Sequence, residues 1–438
     1  MGGGLLQLVA YGAQDAYISG NPQITFWKGL FKRHTNFAME PFRINFSGQI
    51  QWGTKQTALV GRHADLLYST YVEVVLPKQT SGPTPVDYLW NNDNGFLGYN
   101  LIKYVELDIG GQIIDRMYSE FMVLWSQLTL PVDGRSKLTN MLSMGVATGA
   151  ATLNYSVGCA PDGRQRKQNV LYIPLPFFFT RNPGAALPLI ALQYHEVKIN
   201  VLWNEPQLIA GDFTGTGINV PSAIQAALYI DYIYLDTEER RRMAQASHEY
   251  LIEQTQYNED KGIVGANNRI DLTFNHPVKE LIWVVQPSAY TDCRLAAALN
   301  TPATRLQPFT YDIDPVFDQW LQINGQDRLD RRFGDYYNKV QSFQHHSGLL
   351  DPNYSKSVYT YSFALRPEEH QPSGTCNFSR IDTATIVMNM AGLETGTYDF
   401  NNANSTNDAY NDWDVRVYAI NYNVLRVMSG MGGLAYSN

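Results

Sequence analysis

The feature that most constrains the fold is an internal duplication at about half the length of the chain. Residues 107–112, Leu-Asp-Ile-Gly-Gly-Gln, recur at 321–326 as Leu-Gln-Ile-Asn-Gly-Gln in a chain of 438 residues. Both copies run on to an Asp-Arg pair, at 115–116 and 330–331. A repeat this long is a whole domain rather than a solenoid unit of about 20–50 residues. The sequence therefore predicts two copies of one domain.

Three further landmarks recur in the same order in both halves. The first is a His before a strand-like run that ends in Pro (63–77 and 276–287). The second is a similar segment with Phe, Arg and a final Pro, PFFFTRNP (176–183) and SFALRP (362–367). The third is a closing aromatic run that ends at Leu235 and at Tyr422. The offset between the copies is smaller for the last two landmarks than for the Gly-Gln motif, so the first half should carry extra residues between Arg116 and Phe177. Five landmarks in one order are hard to obtain by chance.

Short runs rich in Val, Ile, Tyr and Phe, bounded by Gly, Pro, Asn or Asp, predict β-strands throughout the chain. They span 68–76, 104–109, 170–179, 196–203, 227–235, 270–274, 280–285, 319–323, 357–365, 384–390 and 414–422. Many short strands divided by turns favour sandwiches or barrels over βαβ units. We predict an all-β protein with two eight-stranded antiparallel jelly rolls, a double jelly roll with short helices and long loop insertions.

Helical and loop signals are few. Residues 236–254 should form a helix that connects the halves, because Asp236 and Glu239 match a capping box. A second helix is predicted over 117–128, where apolar side chains share one face. Residues 129–168 and 391–413 are rich in turn residues and should be exposed loop insertions. The predicted organisation is a first roll over 26–235, a connecting segment over 236–254 and a second roll over 255–438.

Composition and motifs argue against catalysis, cofactors and nucleic-acid binding. The formal charge is −8, so no basic surplus indicates a direct contact with nucleic acid. The eight His form no HxH or HExxH metal motif, and no GxSxG, P-loop or Rossmann fingerprint occurs. The three Cys lie far apart, without a zinc spacing. No stretch of 18 apolar residues and no signal peptide is present, which predicts synthesis in the cytosol. A carbohydrate-binding or hydrolytic β-sandwich is the alternative, since jelly rolls also serve as lectins and cupins.

Several long segments resemble the major capsid proteins of nucleocytoplasmic large DNA viruses, most of all the algal, chlorella-virus type. They are LLQLVAYGAQDAYISGNPQITFWKGLFKRHTNFAME (5–40), PGAALPLIALQYHEVKI (183–199), LDTEERRRMAQASHEYLIEQ (235–254), INGQDR (323–328), QPSGTCNFSRID (371–382) and NYNVLRVMSGMGGLAY (421–436). The resemblance runs from residue 5 to the end of the chain. It is weakest at about 78–100, 129–168, 286–318 and 391–413.

The resemblance implies a structural protein whose function is assembly. It implies a double jelly roll, three copies of which form a capsomer with a nearly hexagonal outline. Capsomers of the family tile an icosahedral shell over an internal membrane, with loops outward and an N-terminal arm, here residues 1–25, toward the inside. The implied partners are other copies of the chain, minor capsid and penton proteins, and underlying viral membrane proteins. The implied location is the virion, after assembly in the host cytoplasm.

Two sets of residues are candidates for contacts in that assembly. The aromatic side chains of Trp27, Phe31 and Phe37, spaced among basic residues that include Arg33, are candidate anchors at the inner face. The alternative is that they pack beneath their own jelly roll. Of five Asn-x-Ser/Thr triplets, the one at Asn404 in the Asn-rich loop is the candidate glycan site. The outer loops are candidates for contact with a host surface or glycans.

Overall fold

The computed structural model describes residues 2–27, 29–76, 96–142, 170–205, 224–264, 267–288, 315–348, 350, 355–390 and 413–437. Contacts divide the chain into an N-terminal unit, Met1–Phe37, and a large unit, Ala38–Asn438. The N-terminal unit contains two short helices, α1 (Gly3–Val9) and α2 (Ala13–Ser19). None of the helices in these ranges is long and apolar enough to cross a membrane.

Within the described residues, nine strands form the first roll. They are β1 (Phe37–Ile44), β2 (Lys55–Leu59), β3 (Leu66–Val75), β4 (Ile102–Ile109), β5 (Gln112–Tyr118), β6 (Val170–Pro174), β7 (Leu187–Pro188), β8 (Val197–Trp203) and β9 (Gln225–Leu235). One sheet, which we call A1, has the order β1-β9-β3-β6, with the two-residue β7 beside β3. The other sheet, B1, has the order β2-β8-β4-β5.

The second roll has eleven strands in the part of the chain that the structure describes. They are β10 (His248–Ile263), β11 (Asn267–Asp271), β12 (Pro277–Pro287), β13 (Val316–Ile323), β14 (Gln326–Asp327), β15 (Arg332–Phe333), β16 (Val358–Ser362), β17 (Cys376–Asn377), β18 (Ala384–Met390), β19 (Trp413–Met428) and β20 (Met431–Leu434). Sheet A2 has the order β10-β19-β12-β16, with β17 and β20 at its margins. Sheet B2 has the order β11-β18-β13-β14, with β15 beside β13.

The two rolls share one topology. When the short strands β7, β15, β17 and β20 are left out, the described part of each roll has eight strands. One sheet contains the first, eighth, third and sixth of them in that order, and the other contains the second, seventh, fourth and fifth. This order is that of a jelly roll, a sandwich of two sheets built from Greek keys. The double jelly roll predicted from the duplication is confirmed. The repeated His-to-Pro runs contain the third strand of each roll, β3 and β12, and the closing aromatic runs lie on the eighth, β9 and β19.

The repeated Gly-Gln motif is the tight turn between the fourth and fifth strands of each roll. In the first roll Gly110 and Gly111 have φ of 62° and 88°, and in the second Asn324 and Gly325 have φ of 49° and 75°. A two-residue hairpin of type I′ requires positive φ at both central positions, where Gly and Asn are tolerated best. The duplicated sequence thus encodes the same hairpin twice.

The Arg of the repeated Asp-Arg pair has the same role in both rolls, since it pairs with a carboxylate on the fourth strand of its own roll. Arg116 Nε lies 2.7 Å from Glu106 Oε1 on β4. Arg331 Nε lies 2.5 Å from Asp318 Oδ2 on β13. Each Arg is partly exposed, whereas each carboxylate is buried. The pairs let a charged residue occupy equivalent fourth strands without an unpaired buried charge.

Short helices connect the strands, and their positions differ from the prediction in two segments. They are α3 (Leu97–Asn100), α4 (Ser119–Thr129), α5 (Val132–Leu142), α6 (Phe178–Arg181), α7 (Thr237–Gln245), α8 (Gln341–His345), 3₁₀ turns at Pro183–Ala185 and Phe378–Arg380, and a π-helical turn at Tyr336–Val340. The helix predicted over 117–128 is confirmed as α4. The helix predicted over 236–254 is correct only for α7, because residues 248–254 begin strand β10. The loop predicted over 129–168 is wrong for α5, which buries Leu138 and Leu142; residues 143–168 lie outside the described ranges.

Strand boundaries also differ from the prediction in places. The strand predicted over 170–179 ends at Pro174, and its Phe-rich end turns into α6 with Phe177, Phe178 and Phe179 buried. A continuous apolar run has no period that distinguishes a strand from a buried helical turn. Strands β1 and β2 were not predicted, because Phe37–Ile44 contains Pro and Glu and Lys55–Leu59 is short and polar.

Candidate assembly surfaces

Helix α4 lies between the two rolls, and residues 119–128 are all buried. On one side it packs on the first roll. On the other it meets the outer face of sheet A2, the face turned away from sheet B2, because Ile282, Tyr418 and Ile420 belong to the same apolar cluster as the first roll. The Phe121 and Tyr418 ring centroids are 5.7 Å apart. We call this contact between the rolls the inter-roll junction.

A buried ion pair crosses the junction. Glu120, in the first turn of α4, accepts two hydrogen bonds from Arg416 on β19, Nε to Oε2 at 2.6 Å and Nη2 to Oε1 at 2.7 Å. The Tyr418 hydroxyl donates to Glu120 Oε2 at 2.6 Å, and Arg416 also bonds Gln286. Burial and the nearby Glu120 carboxylate raise the pKa of Tyr418. The bidentate geometry fixes the angle of α4 on β19 more firmly than apolar contact alone.

A second charged cluster lies at the same junction around Glu253 on β10. Its carboxylate is 3.1 Å from Arg181 Nη1 of the first roll and 2.7 Å from the fully buried Lys279 Nζ. Burial alone would raise the pKa of Glu253, but hydrogen bonding from His370 and the charges of Lys279 and Arg181 lower it to about 2. The Arg181 guanidinium also lies 4.5 Å from the centroid of Trp125 on α4. Charges from both rolls thus neutralise one another inside the molecule.

A loop of the second roll binds the C-terminal end of α4. Ser347 Oγ donates to Thr129 O at 2.8 Å, and Gly348 N donates to Leu128 O at 2.6 Å. A Cβ on Gly348 would come within 2.4 Å of the carbonyl oxygens of Gln127 and Leu128, so only glycine fits there. The loop satisfies helix carbonyls that have no partner within the helix.

The residue before this loop, His346, is buried between two carboxylates. Its Nε2 contacts Glu280 on β12, and its Nδ1 lies 3.2 Å from Glu368 Oε1. Two carboxylate partners require both ring nitrogens to donate, which only the imidazolium does. Burial alone would lower the pKa of His346, but the Glu280 charge and the hydrogen bonds to both carboxylates raise it to about 9. His346 is therefore a cation at neutral pH.

The last strand hairpin of the chain returns to the first roll. Tyr194 N donates to Gly430 O at 2.9 Å, and His195 Nδ1 lies 2.8 Å from Gly432 O. Thr255 N on β10 donates to Asp115 Oδ1 at 3.0 Å. Burial raises the pKa of Asp115 to about 6. Together with the charged clusters, these bonds make the two rolls one compact unit.

The residues predicted from the sequence as assembly contacts lie in or next to the N-terminal unit. Trp27 and Phe31 are 86% and 95% exposed, and Phe37, at the start of β1, is 53% exposed. The Phe37 ring lies 6.4 Å from the His34 ring. Arg33 is exposed as well. The other candidate, Asn404, lies outside the described residues.

Sequence reasoning missed the inter-roll junction. Glu120 sits in an apolar run, Met-Tyr-Ser-Glu-Phe-Met-Val-Leu-Trp, where a lone carboxylate signals a buried partner, but its partner Arg416 lies 296 residues away. No sequence pattern joins the two. Within the described ranges, no group of three His, Cys, Asp or Glu side chains is placed to hold a metal ion.

Comparison with known proteins identifies the family. The family model for the large eukaryotic DNA virus major capsid protein matches residues 239–433, and the model for the major capsid protein N-terminus matches 25–236. The major capsid protein of Pyramimonas orientalis virus is 43% identical over 463 residues, and that of Paramecium bursaria Chlorella virus 1 is 39% identical over 471 residues. Both alignments cover all of this chain and all of the relative.

The fold agrees with these relatives. A quasi-atomic structure of the PBCV-1 virus capsid matches with a TM-score of 0.75 and 33% identity, covering 94% of this chain and all of that one. The Faustovirus major capsid protein, 13% identical, shares the fold with a TM-score of 0.68, and the match covers 95% of this chain and 94% of that one. The relatives are structural proteins of virion capsids, so this chain is a self-associating protein of the outer shell and not an enzyme. It belongs to the family of major capsid proteins of large eukaryotic DNA viruses.

Proposed function

We propose that three copies of this chain form a capsomer with a pseudo-hexagonal outline, and that such capsomers tile an icosahedral shell. The observation that carries the proposal is the inter-roll junction, which joins two rolls of the same topology into one unit. Three such units around a threefold axis place six similar rolls in a ring. A closed ring of rolls offers similar edges to six neighbours, as a shell of hexagonal tiles requires.

The solution mass tests this proposal. We expect light scattering of the purified protein to give three times the 49.5 kDa mass of one chain, and negative stain to show hexagonal outlines. A protein that stays at the mass of one chain at micromolar concentration, with round outlines, would contradict a trimer formed by the chain alone.

We further propose that residues 1–25 form an arm toward the inside of the shell and that Trp27, Phe31, Arg33 and Phe37 contact inner-face partners. The exposure of Trp27 and Phe31 supports this, since large exposed aromatic side chains are typical anchors of protein interfaces. Minor capsid proteins, penton proteins and viral membrane proteins are the proposed partners. The division into rolls over 26–235 and 255–438, with a connecting segment over 236–254, belongs to the same proposal, except that β10 extends the second roll back to His248 and shortens the connecting segment to 236–247. Assembly in the host cytoplasm is proposed as well.

Removing the arm should separate trimer formation from shell formation. We expect a protein lacking residues 1–25 to form trimers of normal mass, because the junction and both rolls lie outside the arm. We expect it to fail to form closed shells, as judged by electron microscopy of infected cells or of an assembly reaction. Normal shells built by the truncated protein would refute the proposed arm.

Contact of the outer loops with a host surface or glycans remains a proposal that rests on the sequence alone. The loop over 391–413 and its glycan candidate Asn404 are the residues concerned. Glycan-array binding that is lost when 391–413 is deleted would support this activity, and an array without any bound glycan would remove it.

A further inference from the structure

The inter-roll junction is formed by a helix of the first roll and a sheet of the second, and the duplication provides a second helix and a second sheet of the same kind. Helix α4 follows the fifth strand of the first roll and is covered by sheet A2 of the second. By the duplication, the second roll has a helix at the equivalent place, formed by residues 334–345, and the first roll has sheet A1 as the equivalent of sheet A2. The helix over 334–345 and sheet A1 could therefore make a contact of the same type as the one between α4 and sheet A2.

The helix over 334–345 exposes the positions that α4 buries. Aligning the two Asp-Arg pairs matches Trp125 with Val340 and Leu128 with Phe343. Trp125 and Leu128 are 8% and 0% exposed, whereas Val340 and Phe343 are 39% and 87% exposed. Phe333, directly before this helix, is also exposed. Large apolar side chains in water at equivalent positions indicate a surface that another protein covers.

The outer face of sheet A1 has the chemistry to receive such a helix. Tyr71 on β3 and Tyr229 on β9 stack with ring centroids 5.2 Å apart, and Tyr172 on β6 meets Tyr71 edge-on at 6.1 Å. The equivalent strand of the second roll, β12, is buried at all but its first position because α4 covers its outer face, whereas β3 largely alternates between buried and half-buried residues. Aromatic platforms of this kind are enriched in protein interfaces.

We infer that the helix over 334–345 of one copy packs on the outer face of sheet A1 of the next copy, with Phe343 against the Tyr71–Tyr229 platform, as α4 packs on sheet A2 within the chain. The contact is head-to-tail, because the helix belongs to the second roll and the receiving sheet to the first. Alternating internal and external junctions then join six rolls from three chains in one ring. The inference rests on the proposed trimer and specifies its contact surfaces.

The charges of the two surfaces are complementary. Glu73 and Asp231 flank the tyrosine platform, and burial together with these carboxylates raises the pKa of Tyr71. On the helix, Lys339 pairs with Asp335 at 2.7 Å, so these two charges cancel. The cation that can face the carboxylates is Arg332, directly before the helix, whose guanidinium lies 4.6 Å from the Tyr336 ring centroid. In the inter-roll junction the helix supplies the carboxylate, Glu120, and the sheet supplies Arg416. In the inferred contact between copies the sheet supplies the carboxylates instead. That difference lets each helix discriminate between its two possible sheets.

The first test replaces the central apolar side chain. We expect Phe343→Glu to raise the dissociation constant of the trimer at least about tenfold, measured by light scattering over a concentration series, because a carboxylate would face Glu73 and Asp231. The matched control is Leu59→Glu, an exposed apolar side chain on β2 of sheet B1 that should leave the trimer intact. A Phe343→Glu protein as trimeric as the wild type would overturn the inference.

The second test does not depend on the stability of the variant trimer. With Tyr229→Cys and Phe343→Cys in one chain, mild oxidation should yield covalent trimers on a non-reducing gel, whereas either substitution alone should yield monomers. A trimer by mass that gives no such product would place its contacts elsewhere, which refutes the inference and leaves the proposed trimer standing. A wild-type protein that is not a trimer would instead refute the proposed function. If Phe343→Glu keeps the trimer but prevents shell formation, the helix contacts another capsomer or protein, and the inference is wrong.

Discussion

Replacing Arg416 by Met should destabilise the protein by about 3–5 kcal/mol, the usual cost of leaving a buried charge without its partner. Met retains an aliphatic side chain at this position, so the loss of stability comes from the charge of Glu120. That side chain is 8% exposed. Of its hydrogen bonds from β19, only the one from the Tyr418 hydroxyl would remain. Denaturant unfolding of the purified protein, at one fixed protein concentration, measures this cost.

The same strand offers a matched control. Arg426, also on β19, pairs with Glu249, and the two side chains are 50% and 58% exposed. Arg426→Met should cost less than about 1 kcal/mol, because water screens an exposed pair. The double variant Glu120→Gln with Arg416→Met should recover much of the loss, since the amide oxygen still accepts from Tyr418 and no charge remains. Equal costs for Arg416→Met and Arg426→Met would show that the buried pair does not hold the junction.

The stability of the protein should fall as the pH rises from about 6.5 to about 9, and His346 should account for the slope. Its pKa is raised from 6.5 to about 9 in the folded protein, so folding favours the protonated form. The resulting stabilisation is complete below pH 6.5 and is lost as the pH passes through 9. At ~1.4 kcal/mol per pH unit, the loss amounts to about 3 kcal/mol. Asp115, whose pKa is raised to about 6, titrates below this range.

Thermal unfolding at a series of pH values, in the wild type and in His346→Gln, measures this effect. The variant should be less stable at pH 6.5, because Glu280 loses its cation, and should lack most of the decline toward pH 9. His345→Gln is the control, since His345 Nδ1 lies 3.3 Å from a backbone carbonyl, that of Leu365, rather than from a carboxylate. A wild-type profile that is flat between pH 6.5 and 9 would show that His346 does not carry a charge that matters for folding.

Local sequence patterns were sufficient to predict the repeated architecture. Gly110-Gly111 and Asn324-Gly325 encode positive-φ turns, and the alternating runs on either side encode the strands that those turns connect. These signals depend only on neighbours in the chain, because a hairpin closes within a few residues. Because the hairpin motif and four further landmarks recur in the same order, the sequence also predicts that the whole domain is present twice.

The polar strand β10 shows where such patterns are insufficient. Residues 248–254, His-Glu-Tyr-Leu-Ile-Glu-Gln, continue the charged helix α7 in composition, and we predicted them as helical. They form a strand because β19 pairs with them from His248 to Gln254. In that strand Glu253 pairs with Lys279 of its own sheet and with Arg181 across the junction. Tertiary contacts override a weak local preference when they satisfy buried polar groups.

By itself, the sequence determined the fold class, the two-domain repeat and the hairpins that repeat in each roll, since these follow from periodicity and turn chemistry between near neighbours. Only the tertiary structure decided how the rolls are joined and which surfaces remain open. Glu120 and Arg416 lie 296 residues apart, and Leu128 and Phe343 are both large apolar residues at equivalent positions. One is buried and the other exposed because the chain contains one roll to cover α4 and none to cover its counterpart, a difference that no local pattern encodes.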